Sequence, residues 1–199
     1  MHHFYFTILE WYNEIMTKRR LFIAVNLPEN IRKKLIDYQR KWIDLDPKFI
    51  HWVRESNLHI TLVFIGYVDD DEMYEICNLV KEVAKKHEPF FINLERIILG
   101  PPNTTPRMFW VEGGKSQELA NLQNDLESAL SGGNLAKKEV RPYRPHITLA
   151  RFKYEIAKSL PRVDEPFKVQ FAVETIEVMQ SNLKRSGAEY SVLENVGLG

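Results

Sequence analysis

The sequence predicts an α+β fold of mostly antiparallel strands with flanking helices. Three observations carry that expectation. β-branched and aromatic runs outnumber helical stripes, about eight to three. The two kinds alternate irregularly, so the repeated strand–helix–strand units that build a parallel sheet are missing. No linker or low-complexity tract divides the 199 residues, 44% of them hydrophobic, which suffice for one sizeable core.

The elements follow in order. Leu21 to Leu27 is a strand, closed by Pro28. Glu29 to Ile43 sets Ile31, Leu35, Tyr38 and Trp42 on one helical stripe. Phe49 to Val53 and Leu58 to Val68 are strands. The run Asp69-Asp70-Asp71 favours a helix start, because carboxylates there accept from free N–H groups and oppose the helix dipole; apolar spacing carries that helix to about His87. Phe90 to Leu99 and Arg107 to Glu112 are strands around the loop Gly100 to Pro106. Leu119, Leu122, Leu126 and Leu130 mark the clearest amphipathic helix, stopped by Gly132-Gly133. A strand near Pro145 to Phe152 and two further β runs, Phe167 to Met179 and Ala188 to Val196, complete the chain.

The tetrapeptide His-Ile-Thr-Leu occurs twice, at His59 to Leu62 and at His146 to Leu149, both times inside an apolar run. Among six histidines an accidental match of this length has odds on the order of one in a few hundred, so the pair reads as an internal repeat. Side chains alternate faces along a strand, which puts His59 with Thr61, and His146 with Thr148, on polar faces while Ile and Leu anchor the backbone. If the two strands meet across a cleft, two imidazoles and two hydroxyls converge. Facing imidazoles can divide acid and base work on a phosphate, since histidine's pKa of about 6.5 lets one ring be neutral and the other protonated. The threonines would bind non-bridging phosphate oxygens. One copy alone would read as a polar pair serving the sheet; the duplication argues against that. A metal centre is the weaker alternative, because neither copy has the spacing of zinc or iron ligands. No N-terminal threonine or triad marks a hydroxyl nucleophile.

These residues resemble the 2H phosphoesterases, and among them the LigT-like RNA 2′,3′-cyclic phosphodiesterases, once called 2′-5′ RNA ligases. The likeness runs from about Arg20 to the C-terminus through Arg20 to Val25, Trp52 to His59, Leu62 to Gly66, Pro106 to Trp110, Pro145 to Arg151 and Ser181 to Tyr190. It implies two lobes related by pseudo-twofold symmetry, with a central cleft carrying one motif from each side. It implies His59 as general acid to the leaving ribose oxygen, His146 as the base that activates water, and Thr61 and Thr148 as phosphate clamps. It also places substrate contacts on Phe64 and Arg151, five residues after each histidine. An odd offset should turn both away from the cleft, so a bulge or a strand end would have to re-aim them. Arg144 and Tyr190 are further expected substrate contacts.

The implied reaction is hydrolysis of an RNA terminal 2′,3′-cyclic phosphate to a 2′-phosphomonoester, with no metal and no cofactor. The alternatives are 2′-5′ RNA end joining in the same site, or a non-catalytic module that binds RNA ends. Expected partners are RNA 3′ ends or nucleoside 2′,3′-cyclic phosphates. The Gly100 to Pro106 loop is expected to border the cleft.

Composition narrows the class further. The 27 basic and 27 acidic residues cancel, which disfavours a long-footprint, salt-sensitive RNA binder. Locally, Lys137, Lys138, Arg141, Arg144, Arg151 and Lys153 face one acid, Glu139, around the second motif, a patch able to hold a terminal phosphate. The single cysteine, Cys77, excludes an internal disulfide and suits a cytoplasmic protein; its place on a helix stripe makes it core. No run of eighteen apolar residues suggests a membrane span. Residues 1–16 form an extension whose basic run follows its apolar part, the wrong order for a signal peptide, and 17–199 form the single bilobal domain, expected to be a monomer. His51 and His87 read as structural, and Trp110 as core in preference to a base-stacking platform.

Overall fold

In a computed structural model the residues described are 18–42, 44, 48–102, 104–156, 160–184 and 187–199; the expected extension, 1–16, lies outside them. They form an α+β fold. Nine strands, β1 (Arg19–Asn26), β2 (Ile50–Trp52), β3 (His59–Val68), β4 (Phe90–Gly100), β5 (Met108–Gly113), β6 (His146–Phe152), β7 (Asp164–Val173), β8 (Thr175–Lys184) and β9 (Gly187–Gly197), accompany three α-helices, α1 (Glu29–Arg40), α2 (Asp70–Ala84) and α3 (Gln117–Gly132).

Local chemistry sets the helix boundaries. At α2 the Asp69 carboxylate accepts from the Glu72 backbone N–H at 2.9 Å, and the Glu72 carboxylate accepts from that of Asp69 at 2.9 Å, a reciprocal cap. The Ser116 hydroxyl caps α3 by accepting from Leu119 N–H at 3.1 Å. Past α2, His87 bonds Asp125 of α3 at 2.9 Å, the structural place expected of it. Cys77 is packed against the core, and burial pushes its thiol up.

The run Phe167 to Met179 is not one strand. β7 ends at Val173 and β8 begins at Thr175, and the two lie in different halves of the sheet: β7 pairs with β4, β8 with β1 and β9. The apolar alternation continues through Glu174 with no glycine or proline to mark the break, so periodicity alone could not divide it.

Every pairing is antiparallel, and the order is β7-β4-β5-β6-β3-β1-β8-β9, with β2 added on β6. The sheet is two four-stranded halves. They meet where β3 lies beside β6, in a single bridge pair, Ile60 opposite Ile147. The halves repeat a plan: β1-α1-β3 in one corresponds to β5-α3-β6 in the other, each flanked by an outer pair of strands.

One face of the sheet and the helices enclose the main core. Ile31 and Leu35 of α1, Ile76 and Val80 of α2, and Leu122 and Leu126 of α3 join Ile23, Ile60, Phe109 and Ile147 from the strands. The opposite face carries a small separate cluster, Phe22, Ala24 and Met179 with Tyr190 against them. No helix among the described residues is long and apolar enough to cross a membrane.

Candidate active site

The Ile60–Ile147 pair decides where the two motifs point. Directly opposed residues of an antiparallel pair share a face, and both isoleucines are fully buried in the core. Their neighbours must therefore project from the other face, His59 across from Thr148 and Thr61 across from His146. All four line one cleft of about 480 Å³.

The same device fixes both rings. His59 Nδ1 lies 2.7 Å from the Asn57 carbonyl and His146 Nδ1 lies 2.9 Å from that of Arg144, in each case two residues upstream. A carbonyl only accepts, so Nδ1 carries the proton and Nε2 is turned to the cleft. His59 Nε2 is 2.9 Å from the Thr61 hydroxyl. Tyr143, just before β6, donates its hydroxyl to the Thr61 carbonyl at 3.1 Å and ties one half to the other.

Aromatic rings back each imidazole. Phe22 and Tyr190 stand 5.0 and 5.3 Å from the His59 ring, Tyr190 edge-on. Trp110 stacks on His146 with ring centres 3.9 Å apart and planes 25° apart. By register the place that Trp110 holds on β5 is that of Ala24 on β1, and Phe22 matches Met108, so the two imidazoles are backed from different positions. Burial among these rings pushes both histidines below 6.5, against the Nδ1 hydrogen bonds, which raise them; Arg151 adds to the lowering of both, and His146 to that of His59.

Bulges answer the parity question raised by Phe64 and Arg151. Between β1 and β3, Ile23 faces Val63 but Ala24 faces Thr61, leaving Leu62 without a partner. Between β5 and β6, Phe109 faces Ala150 but Trp110 faces Thr148, leaving Leu149 without one. Each extra residue falls three positions after its histidine and puts two consecutive residues into the core, Leu62 with Val63 and Leu149 with Ala150. Phe64 and Arg151 thereby return to the cleft face and line it.

The remaining expected contacts divide. Tyr190 lines the cleft; the Arg144 side chain does not, and what it brings to the site is its backbone carbonyl. Nor is the basic stretch one surface. Arg141 is paired with Glu139 at 2.6 Å, Lys153 lies over the Phe49 ring, and of the six cations Arg151 alone lines the cleft. The sequence is contiguous there, but a loop runs between Leu135 and Pro145 and disperses the charges. None of the described residues of the Gly100 to Pro106 loop reaches the lining. Gly100 acts one layer removed: a Cβ there would collide with the Trp110 ring.

Sequence reasoning missed Asn57, Phe22, Arg20 and Ser181, which also line the cleft, and the seat that Trp110 provides for His146. Strand parity was a usable signal for two of them, since Arg20 and Phe22 alternate with the core residues Leu21 and Ile23. Among the described lining residues there are two cations, Arg20 and Arg151, and no carboxylate. Among the described residues no three His, Cys, Asp or Glu side chains cluster as a metal site.

The profile of the 2′-5′ RNA ligase superfamily matches residues 30–185. The chain belongs to that superfamily. One relative, the RNA 2′,3′-cyclic phosphodiesterase of Methanocaldococcus jannaschii, is 32% identical over 180 residues, covering 88% of this chain and 98% of its own. Among solved structures, TT0787 of Thermus thermophilus superposes with a TM-score of 0.78 at 29% identity, over 90% of this chain and 97% of its own. E. coli LigT in complex with 3′-AMP gives 0.74 at 26%, over 91% and 98%. The match to the 2′-5′ RNA ligase superfamily profile spans both motifs but begins inside α1 and ends before β9, so Arg20, Phe22 and Tyr190 lie outside it.

Proposed function

We propose that the protein is an RNA 2′,3′-cyclic phosphodiesterase that opens the cyclic phosphate at an RNA 3′ end to a 2′-phosphomonoester, by two-histidine acid–base catalysis without a metal. The observation that carries this reading is the paired arrangement of His59 and His146, each with Nδ1 held by a carbonyl and Nε2 facing one cleft. The names of the relatives support the reaction class.

In this reading His146 Nε2 takes a proton from water as the water oxygen bonds to phosphorus. The bond from phosphorus to the ribose 3′ oxygen breaks, and that oxygen takes the proton of His59 Nε2. The 2′ ester remains, and proton exchange with solvent resets the two rings. Each such group contributes typically 10²- to 10⁴-fold. Both rings are held below 6.5 by their surroundings, and an anionic phosphate between them favours the protonated form that the acid must adopt. Thr61, Thr148 and Arg151 bind the non-bridging oxygens, with the charge-assisted contacts a phosphate prefers. Phe64 and Tyr190 contact the nucleoside.

The superfamily's description keeps end joining in view: an RNA 5′ hydroxyl attacking in place of water would make a 2′-5′ linkage through the same two proton transfers. A binding-only module would not need two imidazoles with Nε2 turned to the cleft, because Arg or Lys would hold a phosphate as well. The test is to incubate the protein with each of the four nucleoside 2′,3′-cyclic phosphates in EDTA and to locate the phosphate in the product by ³¹P NMR. The expected product is the 2′-phosphate at an undiminished rate; a 3′-phosphate, or activity that returns only with added metal, overturns the reading.

A further inference from the structure

The cleft continues past the reactive centre on the His59 side, along β1 and β8. Arg20 stands on β1 two residues, ~7 Å, from Phe22, whose ring lies against His59, and alternation puts both on the cleft face. There it joins Ser181 of β8 and two apolar rim residues, Phe64 and Leu183, which are 66% and 64% exposed. Arg20 makes no hydrogen bond or ion pair with another described residue, in a lining without a carboxylate. Ser181 is 8% exposed, and its hydroxyl likewise bonds to no described residue although it faces the cleft. A guanidinium and a cleft-facing hydroxyl that pair with no described residue form, side by side, a donor set for an anion.

The direction of the substrate tells which anion. If His59 protonates the departing ribose oxygen, the ribose lies on the His59 side of the reacting phosphate, and its 5′ carbon points away from His146. In an RNA chain the next group along that path is the phosphate that joins the terminal nucleoside to its upstream neighbour. A free nucleoside 2′,3′-cyclic phosphate has only a hydroxyl there. We propose that Arg20 and Ser181 form a second phosphate subsite, which takes the phosphate on the 5′ oxygen of the reacting nucleoside and so selects the ends of RNA chains over free cyclic nucleotides. The inference rests on the phosphodiesterase reading above.

Two measurements test it, and the first needs no turnover. Titration calorimetry compares a nucleoside 2′-phosphate with the same nucleoside 2′,5′-bisphosphate, on the unaltered protein and on Arg20→Gln. The added 5′ phosphate is expected to tighten binding about 10- to 100-fold, the range of a hydrogen bond to a charged group. In Arg20→Gln that advantage should shrink to about twofold, and in Ser181→Ala, a second variant that leaves the charge in place, by a smaller factor. The second measurement compares kcat/KM on a nucleoside 2′,3′-cyclic phosphate and on a dinucleotide with the same end; Arg20→Gln should shrink the dinucleotide's advantage by the factor seen in binding. Equal affinity for the two ligands overturns the proposal, as does an advantage that survives Arg20→Gln. An equal loss on both ligands also overturns it, because Arg20 would then serve the reacting phosphate. Failure of the phosphodiesterase reading looks different: neither cyclic substrate is turned over, while the binding comparison still reports the subsite.

Discussion

Trp110 lies flat on His146, with ring centres 3.9 Å apart, and Gly100 closes against the same indole. The base of the proposed mechanism is therefore seated by a residue of the neighbouring strand. Trp110→Leu removes the seat without adding charge. The expected result is a kcat about 10-fold lower or more, from freedom of the imidazole about its productive orientation, and an NMR-detected His146 pKa closer to 6.5 as burial is relieved. An unchanged kcat and titration would reduce Trp110 to filling.

Gly100→Ala reaches the same ring from β4. Its Cβ would collide with the indole, so the tryptophan must shift or the turn must open. Overpacking of this kind costs about 1–3 kcal/mol. Denaturant unfolding should show that loss, and kcat should fall with it because His146 follows Trp110.

His59→Ala and His146→Ala should each lower kcat by 10² to 10⁴-fold while the proteins remain folded by circular dichroism. Because the proposed mechanism uses the two groups in one exchange, the double variant should lose little more than the worse single one. Near-native turnover in either folded variant would contradict the paired mechanism.

Both rings are depressed below 6.5 in the free protein, which sets the expected pH behaviour. The singly protonated pair grows as pH falls below neutrality, so the alkaline limb of kcat/KM should lie below pH 6.5. Bound phosphodiester favours protonation, and the corresponding limb of kcat should lie higher. For stability the sign follows from the same depression: the contribution of the neutral rings is present above 6.5 and is lost as pH falls through their lowered values. Thermal melts from pH 8 to 5, with and without inorganic phosphate, should show a loss on the acid side that phosphate partly reverses. Coincident limbs for kcat and kcat/KM would refute this account.

In the proposed mechanism Arg151 pairs with a phosphate that is charged before and during reaction, so Arg151→Ala should raise KM more than it lowers kcat, with a defect that grows as salt screens the remaining contacts. The same variant should raise the pKa of both histidines, since the guanidinium helps to depress them. Kinetics at two ionic strengths and an NMR titration check both halves of the prediction.

Much of this site is legible before any coordinates. His59, Thr61, His146 and Thr148 declare themselves by repetition, and period-two alternation gives them a common face. Phe64 and Arg151 are harder, because the bulges that re-aim them have no residue signature of their own. Leu62-Val63 and Leu149-Ala150 are ordinary apolar pairs, and an extra residue in a ladder is set by the register of a partner strand distant in sequence. The clustering of lysines and arginines from Lys137 misled for a related reason: neighbours along a loop need not be neighbours in space. Parity turns Arg20 away from the core, but that Ser181 stands beside it is set only by the β1–β8 pairing, which the sequence does not announce.

The order of strands bears on how the molecule can be assembled. β4 follows the first motif in the chain yet is paired in the half that holds the second, and β8 follows the second motif yet is paired in the half that holds the first. A ribosome that has released only the first hundred residues has made β1 and β3 without their flanking strand, and β4 without either of its partners. Neither motif can be finished ahead of the other. Expressed separately, residues 1–103 and 104–199 should each remain unfolded, and when mixed they should recover structure and activity together or not at all.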